Sequence, residues 1–89
     1  MPRAVATHAV GNMDTWLAGG EERAEIFRQF ASGYRIYRHP TANKVAIVWE
    51  NADLDKLQAV LADPDTETAK SRHSVLEPVE IYLEVEGRR

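Results

Sequence analysis

The sequence predicts an α+β fold: one domain over residues 1–89 with a four-stranded antiparallel sheet and helices on one of its faces. Three observations carry that reading. Segments with the two-residue period of strands and segments with helical spacing follow in the order strand, helix, strand, strand, helix, strand. The middle pair is separated only by Pro40-Thr41-Ala42-Asn43, a turn that makes a hairpin. And Val45, Ala46, Ile47, Val48 and Trp49 run without a polar break, so the strand Lys44–Glu50 offers apolar groups to both faces of its sheet.

Each element follows from local chemistry. Ala4 to Val10 is the first strand, ended by Gly11-Asn12, and Asn12 and Asp14 are rival caps for the helix that follows. Met13, Trp16, Leu17, Gly20, Ala24, Phe27 and Ala31 form its apolar stripe, widened by Ile26 and Phe30. Glu21, Glu22, Arg23, Glu25, Arg28 and Gln29 fall on the opposite side. Gly19-Gly20 costs roughly 1 kcal/mol per glycine in a helix. A break there leaves a short first turn and a firm segment from Glu21 to Ala31. Ser32-Gly33 is the stop.

Tyr34 to His39 alternates, with Tyr34, Ile36 and Arg38 on one side and Arg35, Tyr37 and His39 on the other. After the hairpin, Asn51 and Asp53 compete to cap a helix through Leu54, Leu57, Val60 and Leu61. Asp63-Pro64 restarts a helix that runs to Arg72 or His73, with Asp65 and Glu67 at its positive end. Pro78 is expected to begin the last strand, with Val79, Ile81, Leu83 and Val85 on one face and Glu80, Tyr82, Glu84 and Glu86 on the other.

This order folds as the ferredoxin-like βαββαβ arrangement, and right-handed crossovers place both helical segments on the same side. The other sheet face is then apolar and bare, a patch larger than soluble monomers usually show. A second copy of the chain is the simplest cover, so a homodimer is expected.

Composition narrows the function classes. The chain is 44% hydrophobic and 28% charged, as a folded globular domain is. It has no cysteine, which removes disulfides, thiolate metal sites and cysteine nucleophiles together. With 14 acids against 11 bases and no basic stripe, no nucleic-acid partner is expected. The longest apolar run is far short of the roughly 20 residues of a membrane span, and the first residues lack the pattern of a signal peptide. A cytoplasmic protein without a membrane partner is the expectation.

Three segments resemble the dimeric α/β-barrel superfamily, which holds the antibiotic-biosynthesis monooxygenases and small cyclase-like proteins. Asn12-Met13-Asp14-Thr15-Trp16 is similar to the acid and Trp that open the first helix in many small members. Gly33-Tyr34-Arg35-Ile36-Tyr37-Arg38, with Pro40 to Glu50, resembles their central hairpin. Asp53 to Leu57, Leu61 to Asp65 and Pro78 to Ile81 resemble their two-part second helix and last strand. The chain departs from the pattern at Gly19-Gly20 and at Arg72-His73-Ser74-Val75. The resemblance implies a dimeric barrel, and a reaction only in outline, because members include cofactor-free oxygenases, cyclases, haem enzymes and proteins without known activity.

Among the three histidines, His8 lies in a central strand, where it is either a general base or a hydrogen-bonded sheet residue. His39 precedes a proline at an exposed turn, and His73 ends a helix beside Arg72, where positive charge suits the helix C-terminus. His73 is also the one residue that analogy with haem-binding relatives would nominate as an axial ligand. No pattern supports that, and no cofactor is expected. No metal spacing, phosphate-binding glycine loop or nucleophile elbow is present, so no metal is expected either.

Trp16, Trp49, Tyr34, Tyr37 and Tyr82 are either core filling or the lining of a cleft for a planar apolar molecule. The candidate site is therefore His8 as catalytic base, with Trp16, Tyr37, Trp49 and Glu50 contacting a hydrophobic or aromatic small molecule. Two functions fit. One is a homodimer that binds such a molecule and cyclises or oxygenates it without a cofactor. The other is a non-catalytic ligand-binding or assembly module. Arg35 and Arg38 against Glu80, Glu84 and Glu86 are candidate rim pairs across the dimer.

Overall fold

The computed structural model describes residues 2–85. Eight elements follow in order: β1 (Ala4–Val10), α1 (Met13–Ala18), α2 (Gly20–Arg28), β2 (Gly33–Arg38), β3 (Lys44–Glu50), α3 (Leu54–Ala62), α4 (Pro64–Arg72) and β4 (Val75–Leu83). The strands form one sheet in the order β2-β3-β1-β4, and every neighbouring pair is antiparallel. This is the predicted ferredoxin-like arrangement, with each helical segment in two pieces.

The caps decide where helices start. Asn12 accepts from the Thr15 amide at 3.0 Å and opens α1. Asp53, not Asn51, caps α3 through the Lys56 amide at 3.2 Å, while Asn51 takes a left-handed φ of 49° in the turn before it. Asp63 accepts from the Asp65 amide at 2.9 Å, and Pro64 stands at the start of α4, where its missing N–H costs nothing.

Gly19 separates α1 from α2 for a reason beyond propensity. A Cβ built at this position would lie 2.5 Å from Cδ2 of His73, so the ring of His73 fills the space a side chain would need. The buried face nonetheless keeps one helical phase across the break, Met13, Trp16, Arg23 and Phe27 being three, seven and four residues apart. Arg23, expected on the solvent side, is 6% exposed, and Leu17, expected in the apolar stripe, is 53% exposed. The buried stripe of α2 runs Arg23, Ile26, Phe27, then Phe30 just past its end, which is itself i, i+3, i+4, i+7.

The last strand starts at Val75, three residues before Pro78. Strand β4 is at the sheet edge, where a residue without an N–H is tolerated, and its register against β1 shifts between Thr7 and Ala9. Ser74, with φ of 62°, makes the turn into it.

Registration sorts the sheet into two faces. His8 pairs with Val45, Ala6 with Ile47 and Ala4 with Trp49, and all six side chains are buried under the helices. Phe27 and Phe30 close on Trp49 edge-to-face, with ring centroids 5.2 Å and 4.9 Å away, and Leu57 and Val60 complete this layer. On the opposite face, Val5, Ala9, Ala46 and Val48 are half-buried by their neighbours alone, among Tyr37, Leu76 and Tyr82, which are exposed.

The expected charge pairs across a dimer lose Arg38, which is in register with Val45 and so belongs to the helix side. One oxygen of Glu84 accepts from the Arg3 amide at 2.8 Å. Glu86 lies outside the described residues. Arg35, in register with Val48, and Glu80, in register with Thr7, do share the open face.

Candidate functional site

Between the sheet and the helices is a cavity of about 70 Å³. Its walls are mostly aliphatic and aromatic, including Ile26, Phe27, Ile47, Leu57, Val60 and Val79. Three of the five residues nominated from the sequence reach it: His8, Trp16 and Trp49.

The other two are elsewhere. Tyr37 pairs with Ala46 on the open face of the sheet and is 51% exposed. Its alternation was read correctly, but it points away from the helices. Glu50 faces the same way, in register with Gly33, and its carboxylate pairs with Arg3 Nε at 2.7 Å. Neither shares a site with His8.

His8 is 8% exposed. Its Nδ1 lies 2.8 Å from the carbonyl oxygen of Ala9, so Nδ1 carries the proton and donates, leaving the Nε2 lone pair free. Burial in apolar surroundings pulls its pKa below the usual 6.5, against a smaller opposing effect of the Ala9 bond, and the ring is neutral at pH 7. The Trp16 ring packs against it edge-on, with centroids 6.1 Å apart.

Two further residues line the cavity: Arg23, expected on the solvent side, and His73, expected only to close a helix. Arg23 lays its guanidinium carbon 3.7 Å over the Trp16 ring and donates from Nη1 to the Trp16 carbonyl at 2.7 Å. His73 closes α4, as expected, but it is also 6% exposed and lines the cavity. Its Nε2 is 2.7 Å from Glu22 Oε1 and its Nδ1 is 3.4 Å from Arg23 Nη1. A neutral ring with the proton on Nε2 satisfies both contacts, donating to the carboxylate and accepting from the guanidinium. Glu22 also pairs with Arg72, and these two bonds hold its carboxyl below the usual range. The spacing Arg23-Phe27 was the available signal for Arg23; for His73 it was Gly19, whose bare Cα admits the ring.

Among the described residues, three buried N–H groups have no protein partner: Trp16 Nε1, Arg23 Nε and Trp49 Nε1. All three belong to residues that line the cavity. Among the described residues no group of three or more metal-ligating side chains is present, and no helix is long and apolar enough to cross a membrane. His39 is at an exposed turn, where its Nδ1 accepts from the Thr41 and Ala42 amides at 3.1 Å and 3.0 Å.

No protein-family model matches the chain, and no curated protein matches it. Solved structures do. An antibiotic biosynthesis monooxygenase superposes with a TM-score of 0.72 at 15% identity, covering 99% of this chain and 100% of that one. SnoaB, a cofactor-independent oxygenase from Streptomyces nogalater, gives 0.67 at 19% identity over 99% and 94% of the two chains. An uncharacterized NIPSNAP domain protein from Burkholderia xenovorans gives 0.66 at 23% identity over 98% and 95%. Likeness at this level of identity speaks for architecture, and with the sheet order above it gives the chain the ferredoxin-like α+β fold of these structures.

Proposed function

We propose that the protein is a homodimer that binds a hydrophobic or aromatic small molecule in the cavity between sheet and helices, and that His8 acts there as a base without a cofactor. The observation that carries this reading is the placement of His8. It is neutral, its Nδ1 proton is committed to Ala9, and its free Nε2 stands in an apolar wall with Trp16. A neutral imidazole of depressed pKa in a mostly apolar pocket is suited to take a proton from a carbon acid or phenol. The likeness to a cofactor-independent oxygenase supports the same chemistry.

The second copy is argued from the open sheet face. Val5, Ala46, Val48, Tyr37, Tyr82 and Leu76 make an apolar surface with no described helix over it. Two such faces bury each other by a two-fold axis. The lack of cysteine suits the reducing cytoplasm.

The cavity volume favours a second reading. About 70 Å³ is less than half of the roughly 150 Å³ that accepts a benzene ring. A pocket of this size admits one end of a molecule, as a non-catalytic binding module would. Deuterium exchange separates the two. With aromatic polyketides and simpler enolisable ketones in D2O, the wild type is expected to exchange an acidic C–H and His8→Gln to lose that exchange while still binding. Binding without exchange gives the non-catalytic module. A panel that neither binds nor exchanges overturns both.

A further inference from the structure

The open face of the sheet carries opposite charges at its two edges. Two rows of paired residues cross all four strands there, from β2 through β3 and β1 to β4. One row reads Arg35, Val48, Val5, Tyr82, and the next reads Tyr37, Ala46, Thr7, Glu80. The middle of each row is small, uncharged and half-buried. The ends are long and exposed: a cation and a tyrosine on β2, an anion and a tyrosine on β4.

Arg35 and Glu80 do not meet within one chain. Three strand spacings, roughly 14 Å, separate β2 from β4. Among the described residues neither has an ion-pair partner. An uncharged middle framed by charge and tyrosine is the layout of a protein interface. Its two edges complement each other, so the face fits a second copy of itself.

Two sheets packed face to face with strands nearly aligned are related by a two-fold axis either across the strands or along them. An axis across the strands lays β2 over β2 and β4 over β4. That gathers the two arginines at one edge and the two glutamates at the other, which like-charge repulsion opposes. Orthogonal packing crosses the strands and pairs neither edge. An axis along the strands, between β3 and β1, lays β2 of each copy over β4 of the other. Opposite charges then meet at both edges, and Val48 lies over the partner's Val5 in the middle.

We infer that the second copy docks by this last axis, with Arg35 and Tyr37 of each chain set against the partner's Tyr82 and the partner's Glu80. This rests on the homodimer proposed above, and adds its orientation and the residues that fix it. Arg35 gains an aromatic face and a carboxylate, and Tyr37 gains an acceptor for its hydroxyl.

Charge reversal tests the orientation. Arg35→Glu and Glu80→Arg are each expected to weaken the dimer at least about tenfold in sedimentation equilibrium. The double variant is expected to recover affinity, because each edge again joins opposite charges. Single reversals that leave the dimer unchanged, or a double variant no tighter than the singles, overturn the orientation and leave the homodimer standing. A wild type that sediments as one chain at every concentration overturns both. Should a reversed chain fail to fold, cysteines decide, since the chain has none of its own. Under mild oxidation, Arg35→Cys mixed with Tyr82→Cys should form a disulfide between the two variants. Arg35→Cys linked only to itself, or no link at all, overturns the orientation.

Discussion

The ring of His73 lies against the bare Cα of Gly19, so close that a methyl group there would sit 2.5 Å from its Cδ2. A glycine that ends α1 on one side of the cavity thus makes room for a histidine that ends α4 on the other. Gly19→Ala should therefore cost about 1–3 kcal/mol, as over-packing does. Gly20→Ala meets nothing nearer than Arg23 Nη2 at 3.9 Å and should stabilise by about 0.4–1 kcal/mol. Urea titrations of both variants read the two signs. Equal effects would mean that only backbone freedom matters at this pair.

Stability should fall in mild acid because of His8. Its pKa is lower folded than unfolded, so below 6.5 the unfolded chain binds the extra proton first. The contribution of the neutral ring is complete above 6.5 and is lost as pH falls from there through the folded value. Glu22, also depressed, acts in a separate window below 4.5. The difference in melting temperature between wild type and His8→Gln should be greatest above pH 6.5 and shrink as pH falls from there. A constant difference across that range would show that the ring is not buried neutral.

The two faces of β3 should respond differently to charge. Ile47, 3% exposed beneath the helices, should not tolerate lysine, which would be buried without a partner. Val48 faces the open side, in register with Val5 and Arg35. Val48→Lys should melt cooperatively yet sediment as one chain at a concentration where wild type sediments as two. A two-chain species for Val48→Lys would place the contact elsewhere.

The order of elements, the hairpin and the helix caps were legible because each rests on neighbours in sequence, as Asp63-Pro64 and Asn12 illustrate. The face of each strand was legible too, since alternation survives folding, and Tyr34 and Tyr37 do lie on opposite sides of β2. What the alternation did not say is which side the helices take, and that is why Tyr37 and Glu50 left the candidate site. Arg23 was hidden because its charge assigned it to the polar side, although it stands seven residues after Trp16 and four before Phe27 on the buried face. His73 was hidden because its contacts with Glu22 and Arg23 span about fifty positions of sequence. Pro78 looked like a strand start only because edge pairing had not been anticipated.

Both tryptophans of the chain line the cavity, and neither faces the open side of the sheet. Intrinsic fluorescence therefore reports on this site and little else. Titrating a small molecule that raises the melting temperature should shift or quench the emission along a single saturable curve, with the same affinity that the thermal shift implies. A ligand that stabilises the protein while leaving the emission untouched would bind somewhere other than beside Trp16 and Trp49, and would contradict the site.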